Sequence, residues 1–324
     1  MKICIISFDF WHFDEHIVRK LKEKNIDAHH INIGAFTHKN FGEKISNAFS
    51  KMFLGKNLKH RKRQQFVKDS LKKLGHQNQI LVLNPDIFDA ETLQFIKQKT
   101  DRLITYLYDN LERFPVQDKL HFFDKIFSFD DKDVKEFGFE KLTNYNYLKY
   151  LPAEKQNPKL DLYYITSFDK NRNKILLKLA PVLQEKHVIY GFVVVGKKAW
   201  KEQIKIFGKT ALKNFAVLKR KTISPAETVD IYKESKAILE LMRTGQTGLS
   251  FRFFEAMALE KKIVTDNPEI RNYDFYNPEN ILVLNENFSN IDKTFFEKPY
   301  QEIPKEIYDF YTLDKWVERV FNLL

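Results

Sequence analysis

The sequence of 324 residues contains a single cysteine, Cys4. That excludes an internal disulfide framework and a cysteine-built zinc site, and a reducing cytoplasm is the expected setting. Long apolar runs are also missing: none approaches the ~20 residues a membrane-spanning helix needs. The opening MKICIISFDFWHFDEH has one lysine and a short apolar run before Asp9, which reads as neither a signal peptide nor a span. G-x-x-x-x-G-K-[ST] and G-x-S-x-G are both absent, which counts against a P-loop NTPase and an α/β-hydrolase. No grouping of His, Cys, Asp and Glu has metal-ligand spacing. Asp131–Lys132–Asp133 mimics an Asp-x-Asp metal motif, but it opens a helical pattern, where first-turn acids are favoured by the dipole. No metal and no cofactor are therefore expected.

What the chain has is charge and apolar pattern. Lys and Arg number 54 against 43 Asp and Glu, a net +11. Hydrophobic residues make up 43% and aromatics 15%, too many for a disordered chain. The length is about twice that of a typical domain, so two domains are expected. The positive excess leaves nucleic acid, an anionic membrane face and phosphorylated substrates as partners. Eleven basic residues and two acids lie between Lys39 and Lys73, a local excess of nine that covers most of the total. Phe41, Ile45, Phe49, Met52 and Phe53 share that stretch at helical spacing, so 39–73 reads as a basic amphipathic insertion suited to an anionic membrane surface.

Short apolar runs alternate with amphipathic stretches. KICIISF (2–8), DAHHINI (27–33), ILVLNP (80–85), RLITYLY (102–108) and KIFSFD (125–130) read as strands. HIVRKLKEKN (16–25), ETLQFIKQK (91–99) and DKDVKEFG (131–138) read as helices. Continuous apolar strands separated by helices predict a parallel sheet covered on both faces. The pattern restarts at DLYYIT (161–166), with a helix over 172–186 and further strands at 187–195, 237–241, 262–266 and 280–284. SPAETVDIYKES (224–235) carries a capping box, Ser224 and Glu227. LPAEKQNPK (151–159), polar with two prolines, sets the expected boundary between domains 1–153 and 154–324.

The stretch 222–267 is the most informative. A strand runs into a loop containing Gly245 and Gly248, and a helix begins near Ser250. A glycine loop that feeds a helix N-terminus offers free backbone N–H groups and a positive dipole end to a phosphate. Arg243 and Arg252 flank it, and Glu255 lies one turn into the helix. The plainer alternative is a strand–turn–helix with two surface arginines.

The order IS-x-x-E…IY-x-x-S-x-A-I-L…TGLS…FEAMAL-x-K-x-IVT-x-N over this stretch resembles the nucleotide-sugar half of GT-B glycosyltransferases of bacterial capsule, exopolysaccharide and lipopolysaccharide synthesis. YLYDNLERFP (106–115) and FDKIFSFDDKDVKEFGF (123–139) resemble the same group. The resemblance implies an α/β chain of two doubly wound Rossmann-like domains facing a cleft. The last segment, TLDKWVERVFNLL (312–324), reads as a helix, and the resemblance implies that it packs back on the first domain. The implied donor is a nucleoside-diphosphate sugar, held by Thr247, by the backbone at Gly248, Leu249 and Ser250, and by Arg243, Arg252 and Lys170 or Arg172. Glu255 is implied at the ribose. Larger retaining families place a further glutamate before it, with seven residues between the two, and that place falls on Thr247 here, which leaves retention open.

On the N-terminal side, SFDFWHFDEH follows the first strand, where ligands reach an open parallel sheet. A transferase that activates an acceptor hydroxyl needs a base there, and His12, Asp14, His16 and Asp109 are the candidates; helix-capping and surface roles are their plainer alternative. The implied acceptor is a surface polysaccharide or a lipid-linked saccharide, with a cytoplasmic protein peripheral to the inner face of the membrane. A basic nucleic-acid-binding protein and a catalytically silent transferase homologue are the alternatives, the former disfavoured because the loop at 243–255 would have no purpose.

Overall fold

The structure, a computed structural model, describes residues 1–9, 13–34, 58–148, 158–196, 217–219 and 223–323. Within it the chain divides into two compact units, Met1–Thr143 with Leu313–Leu324, and Asn144–Thr312. The boundary expected at 153/154 lies outside the described residues. The last twelve residues group with the first unit, whereas the domain ranges read from sequence count them in the second.

The first unit is a parallel sheet of six strands among the described residues: β1 (Lys2–Ser7), β2 (Asp27–Asn32), β3 (Gln77–Val82), β4 (Thr100–Leu107), β5 (Lys125–Ser128) and β6 (Glu140–Lys141). Their spatial order is β2-β1-β3-β4-β5-β6. Helices α1 (Asp14–Glu23), α2 (Leu58–Leu74), α3 (Ala90–Lys97) and α4 (Asp131–Phe137) lie between them in the chain. After its first residue β1 is buried throughout, as a strand covered on both faces must be, and that is why its sequence is continuously apolar rather than alternating. Asp89 and Asp130 cap α3 and α4 by accepting from Thr92 N and Lys132 N. The acids of the Asp-x-Asp look-alike are thus helix-start groups: Asp131 pairs with Lys141, and Asp133 accepts from Leu111 N at 2.9 Å.

In α2 the apolar side is already used, because Val67 and Leu71 belong to the first core. Phe41, Ile45, Phe49, Met52 and Phe53, on which the membrane-surface reading leans, lie outside the described residues.

The second unit repeats the plan with β7 (Leu160–Ser167), β8 (Tyr190–Val195), β9 (Val217–Lys219), β10 (Ser235–Glu240), β11 (Lys262–Thr265) and β12 (Ile281–Val283), in the order β12-β11-β10-β7-β8-β9 and parallel throughout. Its helices are α5 (Lys170–Glu185), α6 (Pro225–Lys233), α7 (Phe251–Ala258), α8 (Lys293–Glu297) and α9 (Lys305–Phe310). The capping box at Ser224–Glu227 is formed in full. β8 begins at Tyr190, three residues later than the apolar run suggests. The cause is local: His187 turns left-handed (φ 57°) to end the helix, and Asp161 takes the Ile189 N–H at 2.8 Å.

The chain closes with α10 (Leu313–Phe321), which packs on the first unit as expected. Trp316, Val317, Val320 and Phe321 are buried, each stabilising by roughly 1.5–3 kcal/mol relative to exposure. The carbonyls at its end, which have no intrahelical partner, are met by Gln79 Nε2 on Phe321 O (2.8 Å) and Arg102 Nη1 on Val320 O (3.1 Å). Among the described residues no helix is long and apolar enough to cross a membrane.

Candidate functional site

In each sheet one pair of neighbouring strands sends its connections in opposite directions, β1/β3 in the first and β7/β10 in the second. Beyond the carboxyl ends of such a pair an open parallel sheet offers its ligand crevice. Both clusters of candidate residues lie at these places, one in each unit.

In the second unit the loop after β10 turns at Gly245, whose φ of 79° suits glycine, with Gln246 N donating to Arg243 O at 3.1 Å. Gln246 Nε2 then donates to Gly248 O (2.9 Å), and Asn267 Nδ2 to Thr247 O (3.4 Å). Ser250 caps α7 by accepting from Arg252 N at 3.3 Å. Leu249 is buried in the core by its side chain, while its carbonyl accepts from Asn144 Nδ2 at 2.9 Å. The loop is thus tied through carbonyls. Among the described residues, no acceptor faces the backbone N–H groups of Gly248, Leu249 and Ser250, the donors a phosphate at a helix N-terminus would use.

The four cations expected here fall into two classes. Arg172 is buried beneath the loop, with Nε donating to Met242 O and Nη1 to Thr166 Oγ1, both at 3.3 Å. Arg252 also points inward, onto Glu240, with its guanidinium 5.5 Å above the Tyr164 ring. The sequence expects it at the diphosphate; the structure commits it to Glu240, because a carboxylate buried at the end of β10 requires a cation. Lys170 is exposed at the start of α5, and Arg243 is half-buried in the loop. Asp169 caps α5 through Asn171 N and Arg172 N, and Asn171 Nδ2 bridges to Thr244 Oγ1 at 2.7 Å, tying that helix start to the loop. Glu255 is buried and accepts from the Tyr147 hydroxyl, and burial pushes its carboxyl above the usual range.

In the first unit Asp14 is the first residue of α1 and is buried. Its carboxylate accepts from the Tyr108 hydroxyl at 3.0 Å, and its N–H donates to Asp9 Oδ1 at 3.0 Å. Ser7 and His30 are hydrogen-bonded at 2.9 Å beside it. Burial first, then the charge of Asp9, raise Asp14 to about 7, against the pull of Ser7 and Tyr108. Asp9 has a left-handed φ of 28° and its Oδ2 is buried without a partner. The corner is tightly built: Asn84 Oδ1 accepts from Phe8 N at 2.8 Å, and a side chain at Gly34 would sit 2.1 Å from Phe8 O.

Two of the other candidates for the base do not join Asp14. His16 is half-exposed on α1 and pairs with Arg19. Asp109 holds Arg113 through both oxygens, at 3.1 and 3.2 Å. His12 lies outside the described residues. Among the described residues no group of three His, Cys, Asp or Glu is placed to hold a metal ion.

Residues 172–305 match a protein-family model described as glycosyl transferase-like. The fold is shared with AviGT4, a glycosyltransferase involved in avilamycin A biosynthesis, at a TM-score of 0.60 and 9% identity over 99% of this chain and 96% of that one. The chain has the GT-B fold. Alr3699/HepE of Anabaena, solved in complex with UDP-glucose, is similar at a TM-score of 0.60 and 11% identity, over 99% of this chain and 98% of that one. UDP-N-acetylglucosamine 2-epimerase from Rickettsia bellii shares the fold at a TM-score of 0.55 and 13% identity, over 99% and 96%. No curated protein sequence matches the chain. The family match lies within the second unit, and the shared structures establish the fold across both units.

Several residues of the two corners escape a reading by sequence. Ser7, Asp9 and Tyr108 meet Asp14, and His30 meets Ser7, from three different strands or their ends. Glu240, Asp266 and Tyr147 reach the loop before α7, or α7 itself, from outside that stretch. Asp266 accepts from Met242 N at 2.7 Å and is raised to about 6, by burial first. No local motif marks these residues. The one usable signal is position, since Ser7, Asp9, Tyr108, Glu240 and Asp266 each end or follow an apolar strand.

Proposed function

We propose that this protein transfers a sugar from a nucleoside-diphosphate sugar to a hydroxyl of a saccharide or lipid-linked acceptor in surface-polysaccharide synthesis. The observation that carries the donor half is the row of free amides at Gly248–Ser250 ahead of α7. Preorganised donors of this kind act on the charge that develops as a diphosphate departs. Lys170, exposed, and Arg243, half-buried, add cations, and Glu255 takes the ribose. Arg172 and Arg252 brace the loop from beneath.

Asp14 is the base of this reading. A carboxylate whose proton affinity is raised to about 7 is matched to taking a proton near neutral pH. In the step, the acceptor oxygen bonds to the sugar's anomeric carbon as its proton passes to Asp14. The bond from that carbon to the diphosphate breaks, and its electron pair leaves with the diphosphate. A base with no glutamate at Thr247 favours this single displacement. The basic stretch 39–73 would bring the enzyme to an anionic leaflet; removing it should abolish binding to phosphatidylserine vesicles and leave nucleotide binding intact.

Calorimetric titration of UDP, GDP and ADP tests the donor reading. One of them should bind with micromolar to low-millimolar affinity, weakened in the Lys170→Ala and Arg243→Ala variants. Absence of heat with all three would refute it.

A further inference from the structure

The donor loop is held from a place that the glycine motif does not include. Segment Asn144–Leu148 belongs to the second unit, just ahead of β7. Asn146 is pinned through its N–H on Tyr311 O and its Nδ2 on the Tyr308 hydroxyl, both at 2.7 Å. With that anchor, Asn144 reaches Leu249 O. Tyr145 lies edge-on to Phe251, the first residue of α7, with ring centroids 5.1 Å apart. Tyr147 packs on the same ring at 6.2 Å and donates its hydroxyl to Glu255 Oε1. Both members of this pair are buried.

A carboxylate is an acceptor with two oxygens and about four lone-pair sites. One tyrosine hydroxyl engages Oε1 and restrains the Glu255 side chain, while acceptor capacity is left for further hydroxyl donors. A ribose presents two adjacent ones, its 2′- and 3′-hydroxyls. A 2′-deoxyribose presents one, and a buried acceptor left unmatched is costly, which is how such sites reject the analogue.

We propose that Tyr147 is a positioning residue of the donor site, aiming Glu255 so that the site reads the ribose 2′-hydroxyl and discriminates against 2′-deoxynucleotides. The inference rests on the donor reading above and adds a residue and a selectivity to it. Tyr147 acts through Glu255 and does not itself touch the nucleotide. Asn144 has the matching part at the diphosphate end, since it fixes the carbonyl of the loop whose amides would take the phosphate.

The test compares UDP, GDP and ADP with their 2′-deoxy counterparts by calorimetry on the full chain. The wild type should favour the ribonucleotide by ~10-fold or more, as expected when one buried hydrogen bond is lost. Tyr147→Phe keeps the ring on Phe251 and removes only the hydroxyl. It should shrink the ratio of ribo- to deoxynucleotide affinity by ~3- to 10-fold, mostly through weaker ribonucleotide binding, with deoxynucleotide affinity held. Glu255→Gln should shrink the ratio at least as far. An unchanged ratio in Tyr147→Phe overturns the inference while leaving the donor reading in place. An equal loss for both nucleotides makes Tyr147 merely structural and overturns it too. A wild type that binds neither nucleotide of any pair overturns the donor reading, and this inference with it.

Discussion

The guanidinium of Arg252 rests on the carboxylate of Glu240, so the start of α7 is bolted to the end of β10 by an ion pair rather than left free to meet a ligand. Glu240 is 4% exposed and Arg252 21% by side chain, so water screens the pair only weakly. Removing one partner leaves an uncompensated charge in the interior. Glu240→Gln should therefore cost about 3–5 kcal/mol of stability, read as a lower midpoint in urea unfolding. If Arg252 were instead a diphosphate ligand held in reserve, the same variant would bind UDP more tightly; weaker or unchanged binding is the expected result.

Asp14 should govern how both stability and activity respond to pH. Its carboxyl moves from an ordinary 3.8 to about 7, by burial first and then by Asp9. The folded state therefore holds the proton better than the unfolded chain. The contribution to stability is complete below pH ~4 and is lost as pH rises through ~7, at up to roughly 1.4 kcal/mol per pH unit. Asp14→Asn should flatten that loss in denaturation curves measured from pH 4 to 8. With Asp14 as the proposed base, activity is expected to run the opposite way, because only the ionised form takes a proton. Sugar transfer should rise with pH through ~7, and in Asp14→Asn it should fall by ~10²–10⁴-fold.

Gly34 tests how rigidly the acid corner is built. A Cβ at this position would lie 2.1 Å from the Phe8 carbonyl oxygen and 3.0 Å from Asn32 Oδ1. Backbone is the obstacle, so no side-chain rotation relieves it. Gly34→Ala should destabilise by about 1–3 kcal/mol and move the activity–pH curve attributed to Asp14, which stands six residues after Phe8. A variant with wild-type stability would show that the two backbone segments separate freely.

Asp161 gives a second pH signature, of opposite sign. It is buried at the start of β7 between Lys236, at 2.8 Å, and Lys293, and it accepts from Ile189 N. Burial raises its carboxyl, but hydrogen bonds from the two lysines outweigh that and hold it below the usual range. Its contribution is present above an unfolded value near 4 and disappears as pH falls through its lowered folded value. Asp161→Asn should lower stability at neutral pH by about 1–3 kcal/mol. The deficit should shrink below pH ~4 as the wild type loses the same contribution, which denaturation at several pH values would follow.

The fold was legible because parallel strands buried on both faces must be apolar along their whole length. KICIIS, YITS and AILE therefore stand out as runs between amphipathic helices. Caps were legible for the same local reason: Ser224 with Glu227, and Ser250 ahead of α7, form within three residues of each other or of the helix they start. The glycine loop before α7 belongs with them.

Sequence alone thus determined the two doubly wound units, the loop–helix unit in the second of them, and the helix that ends the chain. These follow from period, length and capping, all local properties. Which way a long side chain points depends on charges brought near it by distant strands, and only the tertiary structure decided that. Arg252 and Lys170 look equivalent as basic residues near helix starts, yet buried Glu240 draws one inward while the other stays in water. Asp14 and Asp109 look equally like bases. Burial and Asp9 raise one, whereas the other is spent on Arg113 at the surface. Tyr147 shows it most plainly: 108 residues separate it from Glu255, and no spacing rule spans that distance.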